Sequence, residues 1–221
     1  MGTGKLYVVS TPIGNLEDIT LRAIETLKAV NLIAAEDTRH TKIILDCYNI
    51  KNPTTSYFIY NEIHKAEYLL KVLKEGKDVA LVSNAGTPGI SDPGYRIIRL
   101  AIENGVTVVP IPGPSGLITA LTVSGKPTDK FTFEGFLSNK GAKRKNQLMK
   151  LKEESRTAVL YESPHRILKL LVDILEVYGD HEVVLARELT KKFEEVRREK
   201  VSASIAHFTA HPPKGEFIVI V

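Results

Sequence analysis

Short apolar runs alternate with segments of helical period along nearly the whole chain, and the runs end in corners rich in glycine, proline and small polar residues. That alternation predicts parallel strands joined by covering helices. Leu6 to Ser10 reads as a first strand, Thr11 to Asn15 as a turn, and Asp18 as the cap of a helix beginning near Ile19, with apolar positions at Leu21, Ile24, Leu27 and Ala29 or Val30. Leu32 to Ala35 is a second short strand ending at Glu36 and Asp37. Helical patterns then cover about Thr38 to Tyr48, Glu62 to Glu75, Gly94 to Asn104 and Pro114 to Ser124, with strands at Val79 to Ser83 and Val106 to Ile111.

The character changes at Ser124 to Asp129, where glycine, proline and polar residues precede the aromatic strand Phe131 to Phe136. A domain boundary is expected there, giving residues 1–125 and 126–221. The second half reads as strand, basic helix (Gly141 to Glu154), strand (Thr157 to Tyr161), helix (Pro164 to Tyr178), strand (Glu182 to Glu188), a charged stretch, a short helix (Val201 to His211) and a strand (Glu216 to Val221). The final apolar run suggests a chain that ends inside its own sheet.

A hydrophobic content of 43% with 25% charged residues is ordinary for a globular protein able to bury a core unaided. The lone Cys47 excludes an intrachain disulfide and a multi-cysteine zinc site, and points to a reducing, cytoplasmic setting. The apolar stretch at the N-terminus is too short for a signal-peptide core or a membrane span. A net charge of +4 permits a polyanionic partner without requiring one. More telling is the local run Lys140, Lys143, Arg144, Lys145, Lys150 and Lys152, dense enough to neutralise phosphates; a solvated helix face is the alternative.

Four corners exceed what connection requires: Ser10 to Asn15, Ser83 to Gly94, Pro110 to Gly116 and Tyr161 to Arg166. Each follows a predicted strand and precedes a predicted helix, which places it where open α/β sheets build ligand crevices. The first corner holds only Gly14, so the dinucleotide pattern G-x-G-x-x-G is missing, as is a Walker-type phosphate loop. Glu36 and Asp37 still occupy the place of a ribose-binding carboxylate. The six histidines are scattered without carboxylate-backed pairs, so no metal site is expected.

With these corners in view, the segments LYVVSTPIGNLEDIT, AAEDTRHT, SNAGTPGISDPG, PIPGPSG, YESPHR and KGEF resemble the tetrapyrrole-methylase superfamily. They are most similar to its branch that methylates the ribose 2′-oxygen of a cytidine in the decoding region of 16S ribosomal RNA. The resemblance spans nearly the whole chain. It implies two α/β domains, the N-terminal sheet largely parallel and the C-terminal one mixed, with S-adenosylmethionine in a cleft between them, and a homodimer acting on 16S ribosomal RNA or the small subunit. Carried over position by position, the donor contacts are Ile13 and Gly14, then Asn84, Ala85, Gly86, Thr87 and Pro88, then Ser115 and Gly116, and the backbone near Tyr161 and Ala186. The family pattern has aspartate where this chain has Asn84, which weakens the electrostatics there and keeps hydrogen bonding. Many relatives continue past the KGEF strand into a small helical region that this sequence lacks.

Methyl transfer to a hydroxyl needs near-attack positioning and either a base or a cation for the developing alkoxide. Candidates at strand ends are Glu36, Asp37 and Arg39, and, after the Glu182 to Glu188 strand, Arg187, Glu188, Lys191 and Glu195; surface ion pairs are the alternative for each. In the expected arrangement Glu36 and Asp37 position the acceptor, while Arg39, Lys140, Lys143, Arg144 and Arg166 hold phosphates. Tyr57 or Tyr60 offers a ring to a flipped-out base, with core packing as the alternative. Two competing readings are a precorrin-like tetrapyrrole methyltransferase and a non-catalytic RNA-binding module.

Overall fold

The computed structural model describes residues 2–221, which divide into two compact units, one up to Ser115 and the other Gly116–Val221. In the first unit β1 (Leu6–Val9), β2 (Leu32–Ala35), β3 (Thr54–Ser56), β4 (Val79–Val82) and β5 (Val108–Ile111) form one sheet in the order β3-β2-β4-β1-β5. Every pairing in it is parallel. All carboxyl ends therefore open on one edge.

Strand residues alternate between two cores, as a sheet covered on both faces requires. Leu6, Leu32, Ala34, Val79 and Leu81 pack with α3 (Glu62–Lys74) and α4 (Tyr95–Glu103). Val9, Ile33, Ala35, Ala80 and Val82 pack on the other face with α1 (Leu21–Ala29) and α2 (Thr38–Cys47). The chain leaves β1 for β2 on one side and leaves β4 for β5 on the other, so the corners after β1 and β4 meet at a topological switch point.

The entry to α1 differs from the expected cap. Asn15 caps a short 3-10 turn over Leu16–Asp18 by accepting from Glu17 N–H, and Thr20 Oγ1 then caps α1 by accepting from Ala23 N–H. Asp18 lies inside the 3-10 turn, one turn too early to reach the α-helical donors.

In the second unit α5 (Gly116–Thr122) leads to β6 (Phe131–Phe136), α6 (Gly141–Glu153), β7 (Thr157–Glu162), α7 (Ile167–Tyr178), β8 (Glu182–Arg187), β9 (Glu195–Lys200), α8 (Val201–Ala210) and β10 (Phe217–Ile220). The sheet order is β6-β7-β10-β8-β9, mixed because β10 runs against β7 and β8, and β9 runs against β8. Helices α6, α7 and α8 cover one face through Leu148, Leu170, Ile174 and Phe208, and α5 packs on β10. That packing explains why the units part at Ser115, ten residues before the glycine-proline cluster at which the sequence changes character. The cluster lies within the second unit. Arg198 donates to the carbonyls of Val123 and Ser124, and Lys126 Nζ donates to the Glu182 carbonyl, tying the cluster to β8 and β9. Among the described residues no helix is long and apolar enough to cross a membrane.

One buried ion pair locks α6 to α7. Arg144 Nε donates to Asp173 Oδ2 at 2.6 Å, with Arg144 only 5% exposed. Removing one partner of such a pair strands the other charge in the interior. Asp173→Ala should destabilise the protein by about 3–5 kcal/mol in urea unfolding, and adding Arg144→Met should recover most of that loss.

Candidate active site

At the open edge of the first sheet the corners after β1, β4 and β5 are stitched together. Thr11 and Gly86 form a two-way backbone bridge, Thr11 N–H to Gly86 O at 2.9 Å and Gly86 N–H to Thr11 O at 3.0 Å. Thr11 Oγ1 also donates to the Ser83 carbonyl at 3.2 Å. The Ser10 and Thr87 hydroxyls lie 2.9 Å apart in a hydrogen bond, and Thr87 Oγ1 reaches the Pro114 carbonyl at 3.4 Å. Ser10, Thr11 and Ser83 are buried, so these bonds replace water rather than compete with it. Gly86 has φ of 76°, and a Cβ built on it would lie 3.5 Å from Ile13 Cγ2 and 3.8 Å from Pro114 O. The site is thus a place where Ile13, Gly86 and Pro114 converge, with a backbone conformation that suits glycine. Ser10, Thr11 and Ser83 open two of the corners marked in the sequence, but none of them was among the residues assigned to the donor.

The corner after β2 joins the same assembly through Asn84. Its Oδ1 accepts from Asp37 N–H at 3.2 Å, and its own N–H donates to Glu36 Oε2 at 3.2 Å. An amide side chain makes this acceptor bond without adding a negative charge beside Glu36. Asp37 is the N-cap of α2, accepting from Arg39 N–H at 2.9 Å, and its carboxylate also holds the Arg39 guanidinium through Nε at 3.2 Å and Nη2 at 2.8 Å. The Arg39 side chain, first, and its backbone N–H pull the Asp37 carboxyl down to about 2. A carboxylate that acidic is a weak proton acceptor near neutrality, so Asp37 suits positioning better than general-base work.

In the second unit the carboxyl ends of β6, β7 and β8 and the amino end of β10 share one edge. Tyr161, Ile218 and Ala186 form one row across β7, β10 and β8. A Cβ on Gly116 would lie 3.1 Å from Ile218 Cδ1 and 3.8 Å from Tyr161 Oη, so Gly116, Tyr161 and Ala186 gather around Ile218. Ile218 itself was missed, because one apolar residue in a terminal apolar run carries no distinguishing signal. Ser115 ends the first unit.

Beyond that row, Glu188 and Thr190 hold left-handed φ values of 50° and 65°, a conformation costly for non-glycine residues and often retained at functional sites. Glu188 Oε1 accepts from Lys191 Nζ at 2.9 Å and from Glu216 N–H at 3.0 Å, and Lys191 Nζ reaches Glu216 Oε2 at 2.9 Å. Gly215, with φ of 82°, lies directly beneath: a Cβ there would fall 2.4 Å from Glu188 Cγ and Cδ. Partial burial pushes the Glu188 carboxyl up, but the bonds from Lys191 and Glu216 N–H outweigh it and hold the group below its ordinary value. For Lys191 burial pulls down, yet Glu188 and Glu216 together raise the ammonium above its ordinary range. The result is a fixed cation between two carboxylates. Gly215 and Glu216 complete this cluster and were absent from the candidates, although the KGEF motif contains them. Arg187 and Glu195 pair with each other at 3.0 Å.

The basic segment divides by environment. Lys140 and Lys143 are exposed at the start of α6. Arg144 is a correction: paired to Asp173 in the interior, it has no surface to offer a phosphate. Its helical position faces α7, a fact hidden in a run where neighbouring residues are all cationic. Arg166 is turned inward too, its Nη2 donating to Leu137 O at 2.6 Å and its Nε 3.2 Å from Glu162 Oε1. Burial, above all, raises the Glu162 carboxyl, against the pull of Ser163 N–H and the neighbouring arginines. Tyr57 is a second correction: it is 1% exposed, with its hydroxyl accepting from Ile97 N–H at 3.2 Å, and belongs to the core. Tyr60 is 92% exposed.

A fold of two such units, with stitched corners at the strand ends, defines a class. The chain matches the family model of tetrapyrrole (corrin/porphyrin) methylases over residues 5–204 and belongs to that family. Within it, the chain is 51% identical over 218 residues to ribosomal RNA small subunit methyltransferase I of Thermotoga maritima, covering 99% of this chain and 98% of that protein. It is 49% identical over 219 residues to the protein of the same name from Synechocystis sp., covering 99% of this chain and 78% of that one. Among solved structures, a uroporphyrin-III-C-methyltransferase from Thermus thermophilus superposes with a TM-score of 0.70 at 20% identity, over 98% of this chain and 94% of that one. A cobalt precorrin-4 methyltransferase superposes with a TM-score of 0.71 at 18% identity, over 98% of this chain and 94% of that one. At such identities the likeness is one of fold.

The Glu188–Lys191–Glu216 cluster predicts two pH limbs. A lowered Glu188 stabilises the fold above its unfolded pKa of about 4.3, and that contribution disappears as pH falls through the depressed folded value. A raised Lys191 contributes below its unfolded pKa of about 10.4 and loses its contribution as pH rises through the higher folded one. Urea midpoints measured against pH should decline at both ends, and Glu188→Gln should flatten the acid limb.

Proposed function

We propose that this chain is an S-adenosylmethionine-dependent methyltransferase of small-subunit ribosomal RNA, transferring its methyl group to the ribose 2′-oxygen of a cytidine in the decoding region. The observation that carries this reading is identity near 50%, over 99% of the chain, to proteins named ribosomal RNA small subunit methyltransferase I.

The first-unit corner has the character the donor requires. The buried hydroxyls of Ser10, Thr11 and Ser83, bonded among the corners, hold the left-handed backbone at Gly86 in place as a fixed wall for a donor to lie against. The residues assigned to the donor are Ile13, Gly14, Asn84, Ala85, Gly86, Thr87, Pro88 and Ser115 in the first unit, and Gly116, Tyr161 and Ala186 in the second. When bound, the donor supplies an electrophilic methyl group on a sulfonium.

The chain's own residues supply the rest. Glu36 and Asp37 orient the acceptor hydroxyl, with Asp37 fixed by its α2 cap and by Arg39. Lys191, held protonated between Glu188 and Glu216, has the chemistry to steady a developing alkoxide. Lys140 and Lys143 contribute phosphate contacts, and Arg166 shares that assignment; Arg144, buried against Asp173, does not. A homodimer in the cytoplasm is the expected working form.

The test supplies radiolabelled S-adenosylmethionine with purified small subunits, their naked RNA, or a tetrapyrrole. Label should enter RNA, and mass spectrometry of nuclease fragments should locate it on a cytidine ribose; transfer to the tetrapyrrole alone would overturn the reading. Lys140→Ala and Lys143→Ala should each weaken RNA binding across sequences and reduce the salt slope by about 1, while calorimetric donor binding stays unchanged.

A further inference from the structure

The turn after β3 is closed by hydrogen bonds at both ends, yet it displays three consecutive large apolar side chains. Tyr57 anchors it from below, donating its N–H to Ala35 O at 2.7 Å and accepting at its hydroxyl from Ile97. Asn61 closes it from above: Oδ1 accepts from Phe58 N–H at 2.8 Å, Nδ2 reaches Ser56 Oγ at 3.3 Å, and its own N–H donates to Phe58 O at 2.9 Å. Although it stands at the N-cap of α3, Asn61 makes no side-chain capping bond, because its side chain is used by the turn. Between these anchors Phe58 is 37% exposed, Ile59 67% and Tyr60 92%, with the Phe58 and Tyr60 rings edge to face at 6.4 Å. Folding gains nothing from holding these side chains in water; an ordered display of apolar rings fits a ligand that presents flat faces.

The neighbouring corner carries the matching cation. β2 and β3 are parallel partners with Ala35 opposite Ser56, so the 36–40 and 57–61 turns leave the same sheet edge side by side. There the Arg39 side chain is 90% exposed while Asp37 grips it through Nε and Nη2, leaving Nη1 directed away from the pair. A guanidinium on one turn and exposed rings on the next, at the same sheet edge, supply partners for both parts of a nucleotide, its phosphate and its base.

We infer that Phe58 and Tyr60, with Arg39, form a stacking platform for unpaired bases of a single-stranded RNA segment. This rests on the RNA reading above and adds to it a subsite next to Glu36 and Asp37. A second copy of this chain would have to desolvate the exposed Arg39 guanidinium, whereas a phosphate pairs with it, so the cation favours a nucleotide occupant.

The chain contains no tryptophan, so Tyr60→Trp creates a single reporter on the platform. Titration with a fluorescein-labelled single-stranded oligoribonucleotide, about 12 nucleotides long, should quench its emission to saturation, and Tyr60→Ala should raise the Kd read by anisotropy about ten-fold. Binding that leaves the tryptophan emission unmoved, with Tyr60→Ala equal to the parent, would overturn the platform and spare the RNA reading. Failure of the parent chain to bind the oligoribonucleotide would overturn the platform, while the RNA reading stands or falls on label transfer to small subunits or their RNA. Emission that shifts with protein concentration alone, in step with sedimentation, would assign the patch to a second copy and overturn the inference. Because Tyr60 is almost fully exposed, circular dichroism of both variants should match the parent.

Discussion

The two-way backbone bridge between Thr11 and Gly86 is the constraint on which the first unit's site depends. Strands β1 and β4 are already neighbours in a parallel sheet, but parallel pairing by itself leaves their exits free to diverge. The bridge prevents that. It requires a backbone that can turn at Gly86, buried hydroxyls at Ser10, Thr11 and Ser83 to satisfy the polar groups around it, and a third corner close enough for Thr87 to reach Pro114. Each element would be unremarkable alone. Together they convert three loops into a preorganised wall, which is what positioning chemistry asks of a protein.

The two units solve the problem of charge at a sheet edge in similar ways. Asp37 is held by an arginine and by the amino end of a helix, Glu188 by a lysine and a backbone N–H. In both cases the carboxylate is kept ionised and oriented, and the cation is fixed with it. The left-handed residues Glu188 and Thr190 show that the second arrangement is kept against local backbone preference. Gly215 makes it sterically feasible, since any side chain there would occupy the space of the Glu188 carboxylate.

Much of this was legible in the residue order because period and punctuation agreed. The strands at Leu6, Leu32, Val79 and Val108 announced themselves as apolar runs, and the glycine-proline corners marked where they end. β3 was not visible: Thr54–Ser56 is three polar residues, and only its pairing with β2 makes it a strand. β9 was hidden for the opposite reason. Glu195–Lys200 is an edge strand made almost wholly of charged residues, with Arg197 bridging Glu195 and Glu199, so it reads as a solvated stretch. The fate of Arg144 depended on which way one helix faces, and that of Tyr57 on a partner forty residues away; neither is encoded locally. The unit break was displaced because composition marks flexible chain, whereas α5 belongs where it packs.

The order of strands in the first sheet also bears on how the chain comes into being. β1 lies between β4 and β5, so its hydrogen-bonding partners are both encoded far downstream, the nearer more than seventy residues later. At synthesis rates of about 5–20 residues per second, Leu6–Val9 spends roughly 4–14 s outside any sheet after it is made. A newborn chain of this kind carries an unpaired apolar strand until β4 is made, whereas β2 meets its neighbour β3 after only about twenty residues.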